Sequence, residues 1–378
     1  MSTLASDHQA GGRGRSFAMT LLFGVAALTI ALAGARSIQE IIGPVFLALV
    51  LTVTLHPIRI WLEGRGVKQV LASIIMLVTT YALLIVLTLA LMVSVAQLAA
   101  LVPQYSDQIQ ESAASAGDSL KNLGVKQEQI DAVVGTIDPG ELVDFAMSLL
   151  SSTLGVLTDM FFLFTVLLFM AFDTDTTRRS LAALGRRYPA PIEALDNFAR
   201  GSRNYMGVSA SFGLVVAVID GLALYFMDVP GAFVWAVLAF VTNFIPNIGF
   251  IIGVIPPALI ALLDGGPDLM IAVIVVYSIV NFVIQSVIQP RVVGDAVGLS
   301  AILTFLSLVF WTWVVGPLGA ILAVPLSLFT KALLVEADAG ARWALPLISG
   351  RPDPDEPEAT EPPASTAVTD SPDKHHTD

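Results

Sequence analysis

The sequence predicts an all-α polytopic membrane protein with about eight hydrophobic segments, two of them broken inside and open to folding as re-entrant hairpins. Three observations predict it. Of 378 residues, 55% are apolar and only 13% charged, with a mean hydropathy of +0.79. Soluble chains carry roughly twice that share of charge, so most of this surface does not face water. The apolar residues come in charge-free runs of about 20 or more, enough to cross roughly 30 Å of hydrocarbon. Two of the longest runs are interrupted by Asn, Gly and Pro, which break a helix from within.

Residues 1–16 are polar and carry Arg13 and Arg15, and Phe17 to Ala35 is the first span. A cleaved signal peptide is the weaker reading, since no sharp small-residue cleavage site follows and more spans do. Ile38 to Leu55 is the second, interrupted by Gly43-Pro44, and a basic loop with Arg59, Arg65 and Lys68 closes it. Val70 to Val102 is longer than a bilayer requires, so it must tilt or protrude. A polar insert follows, ending near Asp138-Pro-Gly-Glu141, an N-cap, N1-proline and N3-glutamate pattern that starts a helix. That helix should run into a span near Leu149 to Phe172.

Asp173 to Tyr205 is strongly basic, with Arg178, Arg179, Arg186, Arg187, Arg200 and Arg203. Ile192, Leu195, Phe198 and Ala199 recur there at helical spacing, which reads as an amphipathic helix along the membrane surface or a solvated connector. Val208 to Met227 spans again. The broken stretches are Gly231 to Leu263, interrupted at Asn243 to Pro246 and at Pro256-Pro257, and Ala301 to Leu334, interrupted at Gly316-Pro317. Between them Leu269 to Gln289 is a span of ordinary length. As kinked helices the two broken stretches give eight crossings; as hairpins they give six.

The parts are a cytoplasmic segment 1–16, a transport domain 17–335, and an acidic, Pro-rich tail 336–378 whose composition predicts disorder from 351. Lys and Arg in short loops mark the cytoplasmic side. On that rule both termini and the segment 173–206 lie inside, and the insert 103–148 lies outside. The insert and the tail from 351 each carry eight acidic and two basic residues. They account for the whole net charge of −12, so the embedded body is neutral overall.

That charge argues against a nucleic-acid partner, which needs clustered Lys and Arg. With no cysteine and four scattered histidines, the chain offers neither a thiolate nor a metal cluster. No catalytic or nucleotide motif occurs, so neither an enzyme nor a primary pump is expected, and no cofactor is implied.

Polar groups inside apolar segments are the informative residues, because an ionisable side chain at bilayer depth costs at least about 2.5–3.5 kcal/mol. Asp220 is the clearest, a candidate solute or proton site with a buried structural carboxyl as the alternative; Asp159 reads as structural. Asn281, Gln285 and Gln289 recur at i, i+4 and i+8 and form an amide stripe. Such a stripe either glues helices together or offers neutral donors and acceptors to a polyol or sugar-like solute. Asn243, Asn247 and Gly249 at the first break, with Gly316, Pro317 and Gly319 at the second, fit the paired broken helices of a transporter site, or two packing kinks.

Several runs carry a family resemblance: Asp228-Val-Pro-Gly231, Phe244-Ile-Pro-Asn-Ile-Gly249 with Pro256, Gln289-Pro-Arg-Val-Val-Gly294, Gly298-Leu-Ser300, Trp311-Thr-Trp313, Gly316-Pro-Leu-Gly319 and Ala323-Val-Pro325. Together they resemble the autoinducer-2 exporter (AI-2E) family of bacterial membrane proteins, and most closely its quorum-signal exporter subgroup. The resemblance covers roughly residues 17–335. It implies a homo-oligomeric transporter of the bacterial cell membrane, a pentamer, exporting a small furanone-type polyol, with the lipid bilayer and that solute as partners. Other members resemble sodium/proton antiporters. The motif positions carried over are Pro246, Gly249, Pro256, Pro290, Gly294, Gly298, Leu299, Gly316, Gly319 and Pro325, which set backbone shape more than they bind. Gln289 departs from the pattern, where a carboxylate often precedes the proline, and this weakens cation coupling there.

Three functions follow as expectations. The first is an exporter or facilitator of a small polar organic solute, with Asp220, Asn243, Asn247, Asn281, Gln285 and Gln289 near its path. The second is a sodium or lithium/proton antiporter using Asp220. The third is a membrane scaffold that recruits partners without transport.

Overall fold

The structure is a computed structural model that describes residues 17–104, 139–246, 248–289 and 299–349. Asn247, Pro290, Gly294, Gly298, most of the polar insert and the tail from 350 lie outside the described residues. The helices are α1 (Phe17–Ser37), α2 (Gln39–Gly64), α3 (Gln69–Gln104), α4 (Pro139–Gly185), α5 (Pro189–Phe226), α6 (Ala232–Thr242) and α7 (Gly249–Asn281). A π-helical stretch, Phe282–Ile288, extends α7. Then come α8 (Ala301–Val315), α9 (Pro317–Ile321), α10 (Ala323–Lys331) and short turns of helix to Ser349. No strand occurs among the described residues.

The expected eight segments are not what length and composition support. Four helical stretches are long and apolar enough to cross a bilayer: Gln39–Gly64, Gln69–Ala90, Pro189–Phe226 and Gly249–Ile288. A fifth exists if Met160–Asp173 and Thr176–Gly185, bent by 59°, act as one. Two of the missing crossings have a physical cause. The two broken stretches yield α6 and α8, of 11 and 15 residues. At 1.5 Å per residue these reach only about 16 and 22 Å.

Each broken stretch folds back on itself. Trp311 Nε1 donates to Ser327 Oγ at 2.9 Å, whereas sixteen positions along a straight helix would separate them by about 24 Å. Gly253 likewise lies against Ala239 and Thr242 of α6. Of the two sequence alternatives, helical hairpins are therefore the geometry found. Pro256 and Pro257 do not interrupt α7, which reverses later, at Gly266, where φ is 78° and ψ −171°.

The basic segment 173–206 does not form a separate surface helix. Its first part ends α4, and its second part is the opening half of α5, which runs unbroken for 38 residues. Nothing around Gly207 stops a helix, since that position has open space and an ordinary backbone. Ala194, Phe198, Ser202 and Met206 are buried at i, i+4 spacing. Phe198 packs on Phe46 of α2 and Phe329 of α10, with ring centroids 6.2 and 5.2 Å away, so this apolar face meets protein. The turns after α10 pack on the same end, where Asn197 donates to Glu336 at 3.0 Å and Lys331 pairs with Glu336 at 3.1 Å.

Candidate functional site

Asp220 sits on α5, fully buried, and neither carboxylate oxygen has a hydrogen-bond partner among the described residues. Facing it on α7 is Tyr277, 1% exposed, whose hydroxyl also lacks a partner. Both open onto one cavity of about 10 Å³, room for roughly one water molecule. Thr242, Asn243, Gly253, Asn281 and Gln285 line it with them. Gly253 and Tyr277 share this wall only because α7 reverses at Gly266. On a straight helix they would stand about 36 Å apart.

The amides close the cavity's polar side as a connected chain. Asn281 Nδ2 donates to the Tyr277 carbonyl at 3.0 Å. Gln285 Nε2 donates to Asn281 Oδ1 at 2.8 Å and to Asn243 Oδ1 at 3.1 Å. Asn243 Nδ2 in turn donates to the Ser209 carbonyl of α5 at 2.9 Å. Asn243 can reach α5 because residue 213 is glycine: a Cβ there would come within 2.9 Å of the Asn243 amide nitrogen.

The break after α6 is what presents Asn243. The chain leaves the helix there, turns at Phe244, Ile245 and Pro246, and is helical again from Gly249. A Cβ on Gly249 would collide with the Thr242 carbonyl, so the turn can be this tight only with glycine. The phenol of Tyr205 donates to the Phe244 carbonyl at 2.9 Å and satisfies one backbone group the break sets free.

Asp220, Asn243, Asn281 and Gln285 are thus brought together. Gln289 does not line the cavity, because the π-helical stretch between it and Asn281 widens the turn and moves it off the α-helical stripe. The stripe that faces the cavity is Tyr277, Asn281 and Gln285. Sequence reasoning missed Tyr277, although its position four residues before Asn281 was the signal for it.

Among the described residues, the second break is packed by apolar side chains. Gly316 has φ 81°, Pro317 starts α9, and Gly319 leaves no room for a Cβ beside the Trp311 carbonyl. Around it Val314, Leu322, Val324 and Pro325 are buried, an apolar joint. No group of three or more His, Asp or Glu that could hold a metal occurs among the described residues.

Several apolar helices, two helical hairpins and a polar cavity buried against one break are the layout of a polytopic membrane protein. Residues 17–338 match the sequence model of the AI-2E family transporters, and the chain belongs to that family. It is 29% identical over 334 residues to YhhT of Escherichia coli (strain K12), which carries the name of a transport protein; the match covers 88% of this chain and 95% of YhhT. It is 29% identical over 318 residues to the AI-2 transport protein TqsA of the same organism, covering 84% and 92% of the two chains.

Proposed function

We propose that this transporter is a secondary exporter or facilitator of a small polar organic solute, AI-2 or a related metabolite, in the bacterial inner membrane. The observation that carries the reading is the cavity between α5, α6 and α7, where one carboxyl, one phenol and three amides meet inside an apolar body. Neutral donors and acceptors outnumber the single carboxyl, which suits a hydroxylated solute better than a bare ion. The name of TqsA supports a signal-type solute. The excess of Lys and Arg in the short loops supports cytoplasmic termini, and the resemblance to the family supports a homo-oligomeric unit, a pentamer.

Everted vesicles test this. Wild-type protein should accumulate AI-2 or a related polyol, and Asp220→Asn or Asn281→Ala at equal membrane level should lower the initial rate at least about tenfold. Normal transport by both variants would remove the site assignment. Dissipation of a pH gradient by sodium or lithium, without polyol transport, would replace the reading with cation exchange.

A further inference from the structure

Asp220 and Tyr277 are buried and have no hydrogen-bond partner among the described residues, yet both open onto one cavity of single-water size. A buried polar group without a partner costs about 1–3 kcal/mol, so two on one cavity call for a shared guest. A carboxylate oxygen accepts a hydrogen bond and a phenol O–H donates one. An alcohol oxygen placed between them donates its proton to one carboxylate oxygen and accepts from the phenol, and so gives each of the two side chains a partner. A bare cation would satisfy the carboxylate but leaves the phenol proton without an acceptor.

We propose that Asp220 and Tyr277 form a hydroxyl-binding subsite of the transport path, selective for solutes that carry an alcohol at one defined position. The subsite rests on the reading of the protein as a solute transporter. The cavity has room for the hydroxyl and not for the carbon skeleton, so loading requires the cleft to widen. The contact positioned to yield is Gln285 to Asn243, the side-chain hydrogen bond that ties the extension of α7 to the break after α6. Tyr277 then acts as a specificity-determining residue, although the amide pattern alone does not include it.

The test uses the full chain in proteoliposomes and a panel of glycerol, erythritol, xylitol and ribose, each beside its monodeoxy analogues. For a transported member, loss of one particular hydroxyl should lower Vmax/KM by about tenfold or more, as sites built around a buried hydroxyl reject the analogue that lacks it. In Tyr277→Phe and Asp220→Asn, both nearly isosteric, that discrimination should fall to about twofold or less. If the wild type carries every deoxy analogue as well as its parent, or both variants keep the discrimination, the subsite is overturned and the transporter reading stands. If no panel member and no AI-2 is carried, the transporter reading fails and the subsite fails with it.

Discussion

Glycine shows most directly how single residues build the site. Gly249 must bring its α-carbon against the Thr242 carbonyl, and an added Cβ has no place to go. Gly207, on the same helix as Asp220, has nothing within 4 Å of where a Cβ would sit. Alanine at these two positions should therefore have opposite effects. Gly249→Ala should cost at least about 1–3 kcal/mol as an overpacked site and lower the unfolding temperature of the purified protein. Gly207→Ala should be neutral or stabilise by up to about 1 kcal/mol through helix propensity. Equal unfolding temperatures for both would show that the turn at Gly249 is looser than described. Residue identity made part of this legible beforehand: Asp220, Asn243, Asn281 and Gln285 stand out as polar groups within apolar runs. Tyr277 did not, because a tyrosine among apolar residues reads as core until a carboxyl is found facing it.

At the scale of elements, the sequence located both breaks, since Asn, Gly and Pro interrupt a helix through local chemistry. It left open how the chain continues past them, which depends on contacts between distant residues. Pro256-Pro257 looked like a break and is not, since α7 continues through both, whereas the reversal at Gly266 uses one positive φ. Gln289 was placed on the stripe by α-helical arithmetic that the π-helical stretch does not follow. The second hairpin offers a direct check. Trp311 and Ser327 join α8 to α10 through one hydrogen bond of 2.9 Å. Trp311→Phe and Ser327→Ala should each cost about 1 kcal/mol, and the double variant should cost clearly less than the two together, with a coupling of about 0.5–1.5 kcal/mol by thermal or denaturant unfolding. Strict additivity would show that the two helices of the hairpin do not touch there.

For the whole molecule, hairpins decide which side each loop faces. The charges of Arg59, Arg178 and Arg203 converge around His56, so the basic ends of α2, α4 and α5 gather at one end of the protein, the end that the proposed orientation puts in the cytoplasm. From that end α5 rises to the turn at Met227–Gly231 on the opposite side. If α6 and the first part of α7 enter and return as a hairpin, the reversal at Gly266 lies on that outer side too. The chain from Pro267 to Ile288 then crosses back, about 33 Å of helix, and delivers residues 290–298 to the cytoplasm. If α6 and α7 instead crossed as one kinked helix, residues 290–298 would emerge outside. The chain has no cysteine, so single thiols can be introduced without background. Asp268→Cys, at an exposed position beside the reversal, should react in intact cells with an impermeant maleimide. Asp295→Cys should react only in everted vesicles or after permeabilisation. Labelling of Asp295→Cys in intact cells would overturn the hairpin topology and move the cavity at Asp220 to a different depth in the membrane.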